Sequence, residues 1–561
     1  MDLKKIIKND IYEILKGYLQ IDDIVVEYPK DRKMADYAIP CFGLAKIMKK
    51  NPNDIALMIK DSIKNEIYEK IEVVNGYVNI FLNKKKITKL ILETILSEKE
   101  NYGSNDIGKG KTIVIDYSSP NIAKPFGVGH LRSTVIGNAL KHICEKNGYK
   151  VIGINYLGDW GTQFGKLIAA YKRWGDEETV KKNPIDELKN LYVKFHAEAE
   201  KNPDLEEEGR KYFKALEDGD KECLMLWEWF KNESIKEFNK TYELLGVTNF
   251  DSYHGEAFYN DKMDKVVDEL KEKGLLETDE GAEIIRLDED LPPALIKRSD
   301  GATLYITRDL AAVFYRKKTY NFDEALYVVG NEQTLHFKQL KEVLKKMGYP
   351  WYNDIHHISF GMVLQDGKKM STRYGKSVKL YDVLLEAIGL ARKYIEERNA
   401  DLDNKDEVSR QIGVGAVIFN DLKNYRTNDI EFNLEDILKF EGETGPYIQY
   451  TYARIQSLLG HKQNIKIDYN NIDINEYTWN VVFKLYSFGE YIRRSKERYD
   501  PSEIAKYLID LAQDFNKLYA NEKFIDNNKE LTEFRLTVSE TVAIVLKVGM
   551  RLLGVDVTNK M

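Results

Sequence analysis

The chain has 561 residues, 43% of them apolar and 31% charged, with a formal net charge of −7. This composition suits a soluble globular protein of about two to four domains, and no apolar run approaches the ~18 residues of a membrane span. Three widely spaced cysteines, Cys41, Cys144 and Cys223, point to a reducing cytoplasm and leave no cysteine-rich zinc site. The charged, amphipathic start predicts no secretory leader. The negative balance disfavours nucleic acid as a partner of the surface as a whole, although basic stretches such as 368–379 can still track phosphates.

Taken in chain order, the pattern forms three blocks. Residues 1 to about 105 mix amphipathic helices at 3–19, 54–68 and 85–96 with short strands at 21–28 and 73–82. The polar, glycine-bearing stretch 101–110 reads as a linker. A buried-strand pattern follows at 111–119, then a helix with an apolar face of Leu131, Val135, Ile136, Leu140 and Ile143, then a second strand at 149–157. Further strands are expected at 302–307, 325–329 and 355–364, with helical runs between them. This alternation implies an α/β fold with a parallel, Rossmann-like sheet. Charged, strand-poor residues 174–245 read as an insertion between sheet elements, and from about 408 onward the pattern is amphipathic helix. The divisions expected are an N-terminal α+β domain at 1–108, a core at 109–407 with helical insertions at about 174–300, and an all-α domain at 408–561.

Two loops stand out. In PNIAKPFGVGHLRST (120–134) a strand ends, the chain passes Gly127 and Gly129, and a helix begins near His130. Glycines let a ligand approach the backbone, and a helix N-terminus offers free N–H groups to phosphate. The edge of the first strand of an α/β sheet is also where such folds bind nucleotides. Alone, the same pattern also describes a plain glycine turn with a capping histidine. DGKKMSTRYGKS (366–377) gathers lysines, hydroxyls and an arginine among glycines; it suits a polyphosphate, or equally a solvated charged hairpin.

Together the two loops resemble the HIGH and KMSKS signatures of class I aminoacyl-tRNA synthetases. SSPNIAKPFGVGHLRSTVIGNAL, NYLGDWGTQFGKL, LYITRDLAAVFYR, KKMSTRYGKSVKL and FEGETGPYIQYTYARI narrow the resemblance to arginyl-tRNA synthetases, over nearly the whole chain. Gly127 stands where the first motif of that family usually has histidine, and Thr372 and Arg373 close the second. The resemblance implies ATP with Mg²⁺, L-arginine and tRNA(Arg) as substrates, no zinc, a cytoplasmic monomer, and pyrophosphate exchange that requires tRNA. It places Gly127, Gly129, His130, Lys368, Lys369, Met370 and Ser371 on ATP, with His130, Lys369, Arg373 and Lys124 carrying the phosphate chemistry. Ser119, Pro120, Asn121, His130, Tyr305, Asp309 and Gln333 are assigned to arginine, with Asp309 the partner of the guanidinium. Tyr447, Gln449, Tyr450 and Arg454 form an aromatic, cationic cluster for tRNA bases, and the N-terminal block is assigned to the tRNA elbow. His356 and His357, adjacent in an expected strand, point to opposite faces and form no metal site. Two rival readings are a small nucleotidyltransferase and a non-catalytic RNA-binding paralogue.

Overall fold

The computed structural model describes residues 2–29, 34–247, 250–288, 291–299, 305–370, 372–373 and 376–561, without the side chains of 372–373 and 376–377. They fall into two compact units. One combines residues 1–99 with 458–486 and 514–542; the other holds 100–457, 487–513 and 543–561.

The smaller unit contains an antiparallel sheet in the order Tyr37–Pro40, Tyr77–Leu82, Tyr68–Val74. The strand expected at 73–82 is in fact the end of the first arm, the turn and the second arm of a hairpin, Tyr68–Val74 with Tyr77–Leu82. Asn75 and Gly76, at φ 50° and 79°, supply the left-handed pair that a two-residue hairpin turn needs. The strand expected at 21–28 does not form. Ile21–Asp23 is a 3₁₀ turn, closed where the Asp23 carboxylate accepts the Gln20 N–H at 2.8 Å, a local capture that competes with extended pairing.

In the larger unit the core sheet is wholly parallel, in the order Ile355–His357, Glu324–Tyr327, Thr112–Asp116, Lys150–Ile154. Apolar side chains fill both faces, as a buried parallel sheet requires. Val114 and Ala325 join Leu310, Val313, Leu340 and Val343 in one core cluster, while Ile113 and Ile115, on the opposite face by strand periodicity, are also fully buried. The helix Leu131–Lys146 packs on the sheet with Leu131, Val135, Ile136, Leu140 and Ile143 inward.

The insertion is helical through Glu177–Lys182, Pro184–Ala199, Asp204–Glu217 and Lys221–Leu245. Beyond it, Glu277–Asp279, Ala282–Ile285 and Ala294–Lys297 form an antiparallel sheet where helix was expected. Residues 302–304 of the strand expected at 302–307 lie outside the described residues. Tyr305, Ile306 and Thr307 instead open the helix Tyr305–Tyr320, whose buried Ile306, Leu310 and Val313 recur at helical spacing. The strand expected at 355–364 is two: Ile355–His357 belongs to the core sheet, whereas Val363–Gln365 pairs with Ile430–Glu431 and with Lys368–Lys369. The tract from Lys405 onward is helical apart from that two-residue strand.

A buried ion pair ties the two signature regions together. Arg132 and Asp421, each 1% exposed, meet at 3.2 Å, and the Arg132 guanidinium also donates to the Asn428 carbonyl at 2.7 Å. That carbonyl lies two residues before the strand that pairs with Val363–Gln365. Removing one partner of such a pair would leave an uncompensated buried charge, costing about 3–5 kcal/mol.

Candidate active site

The sheet order reverses between Thr112–Asp116 and Glu324–Tyr327, since the second strand lies on one side of the first and the third on the other. Ligands of α/β sheets bind at such a point, beyond the carboxyl ends of the strands. A cavity of about 560 Å³ lies there. Asp116, Ser119 and Asn121 come from the end of the first strand, Tyr156 follows the second, and Gln333 follows the third. One face of the helix Tyr305–Tyr320 adds Tyr305, Asp309, Ala312 and Arg316, a stripe at helical spacing.

The cavity is rich in buried charge. Asp309 Oδ2 lies 2.6 Å from His336 Nε2, and its Oδ1 accepts from the Tyr156 hydroxyl at 3.4 Å. Glu256 lines the same cavity. Burial pushes its carboxyl up to about 7; Arg308 opposes the shift, and Asp159 and Asp309 add to it. The Arg308 Nη1 is 3.9 Å away. On the cavity floor, Arg316 meets Asp116 at 2.8 Å, both nearly unexposed, and Asp116 Oδ1 accepts from Ser119 Oγ at 3.0 Å. Burial works against the Arg316 charge, but Asp116 and the Tyr327, Tyr259 and Tyr156 side chains outweigh it and hold it well above its usual value. The cavity therefore has a fixed cation at its floor and three further carboxyls in its wall, Asp309 and Glu256 half-buried and Glu332 exposed. Two carboxyls facing one space can share a planar fork of donors.

Five of the residues expected for an amino-acid site converge here: Ser119, Asn121, Tyr305, Asp309 and Gln333. Pro120 is buried beside them, its carbonyl accepting from the Gly158 N–H at 3.1 Å. His130 does not line the cavity.

His130 instead ends the 3₁₀ turn Val128–His130, at the start of the helix Leu131–Lys146. Its ring lies against Phe126, with centroids 5.2 Å apart, and Nδ1 is buried without a hydrogen-bond partner. Burial lowers the imidazole below its ordinary value, the Gly127 carbonyl opposes this, and the Lys124 charge adds to the lowering, so the ring is neutral near pH 7. Lys124 and Gly129 are exposed. Gly127 is where the turn meets the segment after the lysine-rich loop. Val128 N–H donates to the Val378 carbonyl at 3.2 Å and Leu380 N–H to the Phe126 carbonyl at 2.9 Å. A Cβ on Gly127 would stand 3.2 Å from that Val378 oxygen, a contact only just tolerable.

The lysine-rich loop starts as a hairpin. Asp366 and Gly367 turn at φ 52° and 69°, and Lys368 and Lys369 pair with Gln365 and Leu364, both lysines exposed. Met370 is 6% exposed and donates its N–H to the Val363 carbonyl at 2.9 Å. Ser371 lies outside the described residues; Thr372–Arg373 pairs with Lys376–Ser377, and the Arg373 side chain is likewise outside the description.

A second cavity, of about 740 Å³, is lined by Tyr394, Arg398, Lys439, Phe440, Tyr450 and Met561 among others. Tyr450 is 40% exposed, and the Arg454 guanidinium lies 4.9 Å from its ring centre. Tyr447 is half-buried beside Thr444. Gln449 departs from the expected tRNA-facing role. It is fully buried, and its amide donates to the Gln411 and Asp556 carbonyls at 2.9 and 2.8 Å, so it braces the interior.

Glu256, His336, Tyr156 and the Asp116–Arg316 pair were not legible as site residues. Arg316 had a signal: it follows Tyr305 and Asp309 on one helical face, visible once 305–320 is read as helix. Glu256 had none, because nothing in HGEAFYN separates a buried acid from a solvated one.

Comparison with known proteins decides the family. The model for the catalytic domain of class I tRNA synthetases (R) matches residues 91–434, the DALR anticodon binding domain matches 448–561, and the arginyl-tRNA synthetase N-terminal domain matches 1–82. The chain belongs to the arginyl-tRNA synthetase family. An arginine–tRNA ligase of Bacillus cereus is 53% identical over 544 residues, covering 97% of this chain and 96% of its own length. One from Ligilactobacillus salivarius is 52% identical over 565 residues, covering all of both chains. The solved Thermus thermophilus arginyl-tRNA synthetase superposes at a TM-score of 0.83 with 25% identity, covering both chains in full; that of Plasmodium falciparum gives 0.78 and 26%, covering 100% of this chain and 98% of its own. The core is thus the class I synthetase sheet, followed by a helical anticodon-binding domain, as the family resemblance implied.

Proposed function

We propose that this chain joins L-arginine to tRNA(Arg) in two steps. A carboxylate oxygen of arginine attacks the α-phosphorus of ATP; the bond to the bridging oxygen breaks and pyrophosphate leaves. A ribose hydroxyl of the 3′-terminal adenosine of tRNA then attacks the carbonyl carbon of arginyl-adenylate, and AMP leaves.

The observation that carries the arginine reading is the pair of carboxyls, Asp309 and Glu256, in one cavity. A guanidinium presents its donors as a planar fork that both can meet, whereas a lysine ammonium cannot span them and citrulline lacks the charge. Half-buried carboxyls left without a matching fork of donors disfavour such analogues strongly, so selectivity needs no editing site. Ser119, Asn121 and Gln333 serve the α-amino and carboxylate end, and Tyr305 covers the rim.

Phosphoryl chemistry of this kind is mostly positioning and charge stabilisation. Gly127 and Gly129 let ATP approach the backbone. His130 donates from a neutral ring, and Lys124, Lys368, Lys369 and Arg373 supply positive charge, with Ser371 and Met370 in the same loop. Mg²⁺ would arrive on the phosphates of ATP and supply charge neutralisation there. Splayed anticodon bases stack at Tyr450, beside Tyr447 and Arg454, in a cavity that Phe440 and Arg398 also line. In this reading residues 1–108 hold the tRNA elbow, 109–407 carry the chemistry and 408–561 hold the anticodon, in a cytoplasmic monomer.

ATP–pyrophosphate exchange tests this directly. With tRNA(Arg) present, exchange depends on arginine and is negligible with lysine or citrulline; without tRNA it is weak. Exchange driven by lysine, or none with arginine and tRNA together, would refute the reading.

A further inference from the structure

We infer that Asp159 and Lys231 are positioning residues for arginine: they fix the turn that presents Glu256 to the cavity, and so tie arginine selection to the helical insertion. The inference rests on the arginine reading of that cavity.

Asp159 follows the second core strand and is wholly buried. Its Oδ1 accepts the N–H of Ala257 at 2.8 Å, and its Oδ2 receives Lys231 Nζ at 2.6 Å. Those two partners bracket the purpose of the carboxylate. Ala257 is the residue after Glu256. Gly255, the residue before it, lies so close that a Cβ there would stand 2.5 Å from the Asp159 carboxyl atoms, so only glycine fits. The N–H of Glu256 itself donates to the Leu157 carbonyl at 3.0 Å. Glu256 and both its neighbours are therefore set by residues 157–159.

The other side of Asp159 is held by the helix Lys221–Leu245 of the insertion. Trp227 Nε1 donates to the Asp159 carbonyl at 2.7 Å, and Lys231, one turn later, lies 5.0 Å from the Trp227 ring centre. Lys231 is the cation that permits a buried Asp159 charge. A buried carboxylate with no such partner moves toward another donor or water, and that shift loosens the turn under Glu256.

The electrostatics point the same way. Glu256 faces Arg308 and Asp309 on the helix Tyr305–Tyr320, and Asp159 with its Lys231. The Asp116–Arg316 pair, His336 and Glu332 line the same cavity. Of these, Lys231 is the group that screens Asp159 from Glu256. Without it, the Asp159 charge acts on Glu256 unopposed, Glu256 keeps its proton to higher pH, and a guanidinium finds one carboxylate fewer.

The test is steady-state aminoacylation by the full chain with saturating tRNA, varying arginine across pH 6–8.5. Lys231→Met is expected to raise the arginine KM about tenfold at pH 7, as a misplaced or unpaired charge does. It also moves the acid limb of the arginine KM to higher pH, while ATP KM and kcat at saturating arginine stay within about threefold. Lys231→Arg restores most of the loss. Trp227→Phe, which removes the bond to the Asp159 carbonyl and shrinks the ring beside Lys231 while leaving the Lys231–Asp159 pair, raises the arginine KM in the same direction by less. An arginine KM and acid limb unchanged in Lys231→Met would overturn the inference, as would an equal rise in the KM of arginine and ATP. If Lys231→Met fails to fold, Trp227→Phe decides, an unchanged arginine KM overturning it. Glu256→Gln separates the two levels: a raised arginine KM with no acid limb supports the cavity, whereas an unchanged arginine KM removes the arginine reading and this inference with it.

Discussion

The arginine cavity and the lysine-rich loop handle charge in opposite ways. In and behind the cavity wall the charged groups that shape it are wholly or partly buried and held by others. Asp309 is flanked by His336 and Tyr156, Asp116 by Arg316, and Asp159 by Lys231 and the Ala257 N–H. On the loop, Lys368 and Lys369 are exposed and project from a strand of two residues. The difference follows from the tasks. Discriminating one cationic side chain from near relatives requires donors and acceptors that cannot rearrange, because an unmatched buried group is what rejects the wrong ligand. Neutralising a polyphosphate requires positive charge near several oxygens, and a solvated cation supplies that over a range of positions.

That contrast makes single substitutions unequal. The largest effect is expected at the turn between the two regions. His130→Ala removes a buried, neutral donor and is expected to slow arginine activation by about 10²–10³, with a modest change in ATP KM; stopped-flow or exchange kinetics read it. A nearly silent variant would hand the phosphate chemistry to Lys124 and the loop. Next comes Asp309→Asn, which keeps shape and removes charge. A charge-assisted contact worth about 1.5–3 kcal/mol corresponds to roughly a 10–150-fold loss of arginine affinity, with ATP affinity unchanged by calorimetry. Equal weakening of both ligands would remove the distinction drawn between cavity and loop. The smallest is Gly127→His, which installs the usual family residue. Its Cβ meets the Val378 carbonyl at 3.2 Å, so residues 378–380 must yield slightly, and activation is expected to change by less than about tenfold.

The sequence made the core legible because its signals are local. The strand Thr112–Asp116, the glycine turn and the apolar face from Leu131 to Ile143 are contiguous, and the structure reproduces them. It misled where one local pattern had two readings. The run Tyr305–Thr307 alternates like a strand, yet it opens a helix because Ile306, Leu310 and Val313 find the core at helical spacing. The site was legible in the same measure. Ser119, Asn121, Tyr305, Asp309 and Gln333 sit in long, recognisable stretches and do meet. Glu256, Asp159 and Lys231 act only through each other across a hundred residues, and such pairings have no trace in a linear pattern. Gln449 shows the converse error: placed among exposed aromatics by sequence, it is turned inward by the two carbonyls it braces.

The most direct measurement of the central claim is arginine affinity against pH for the unmodified chain, by calorimetry or from KM. Glu256 in the free protein is held protonated up to about 7, chiefly by burial, while a bound guanidinium favours its ionised form. Arginine binding therefore releases a proton below that pH. Affinity is predicted to rise by up to about tenfold per pH unit from pH 6 toward 7 and to level off above it, and the slope to vanish in Glu256→Gln. A flat profile from pH 6 to 8 in the unmodified chain, or the same slope in Glu256→Gln, would contradict an arginine site built on Asp309 and Glu256.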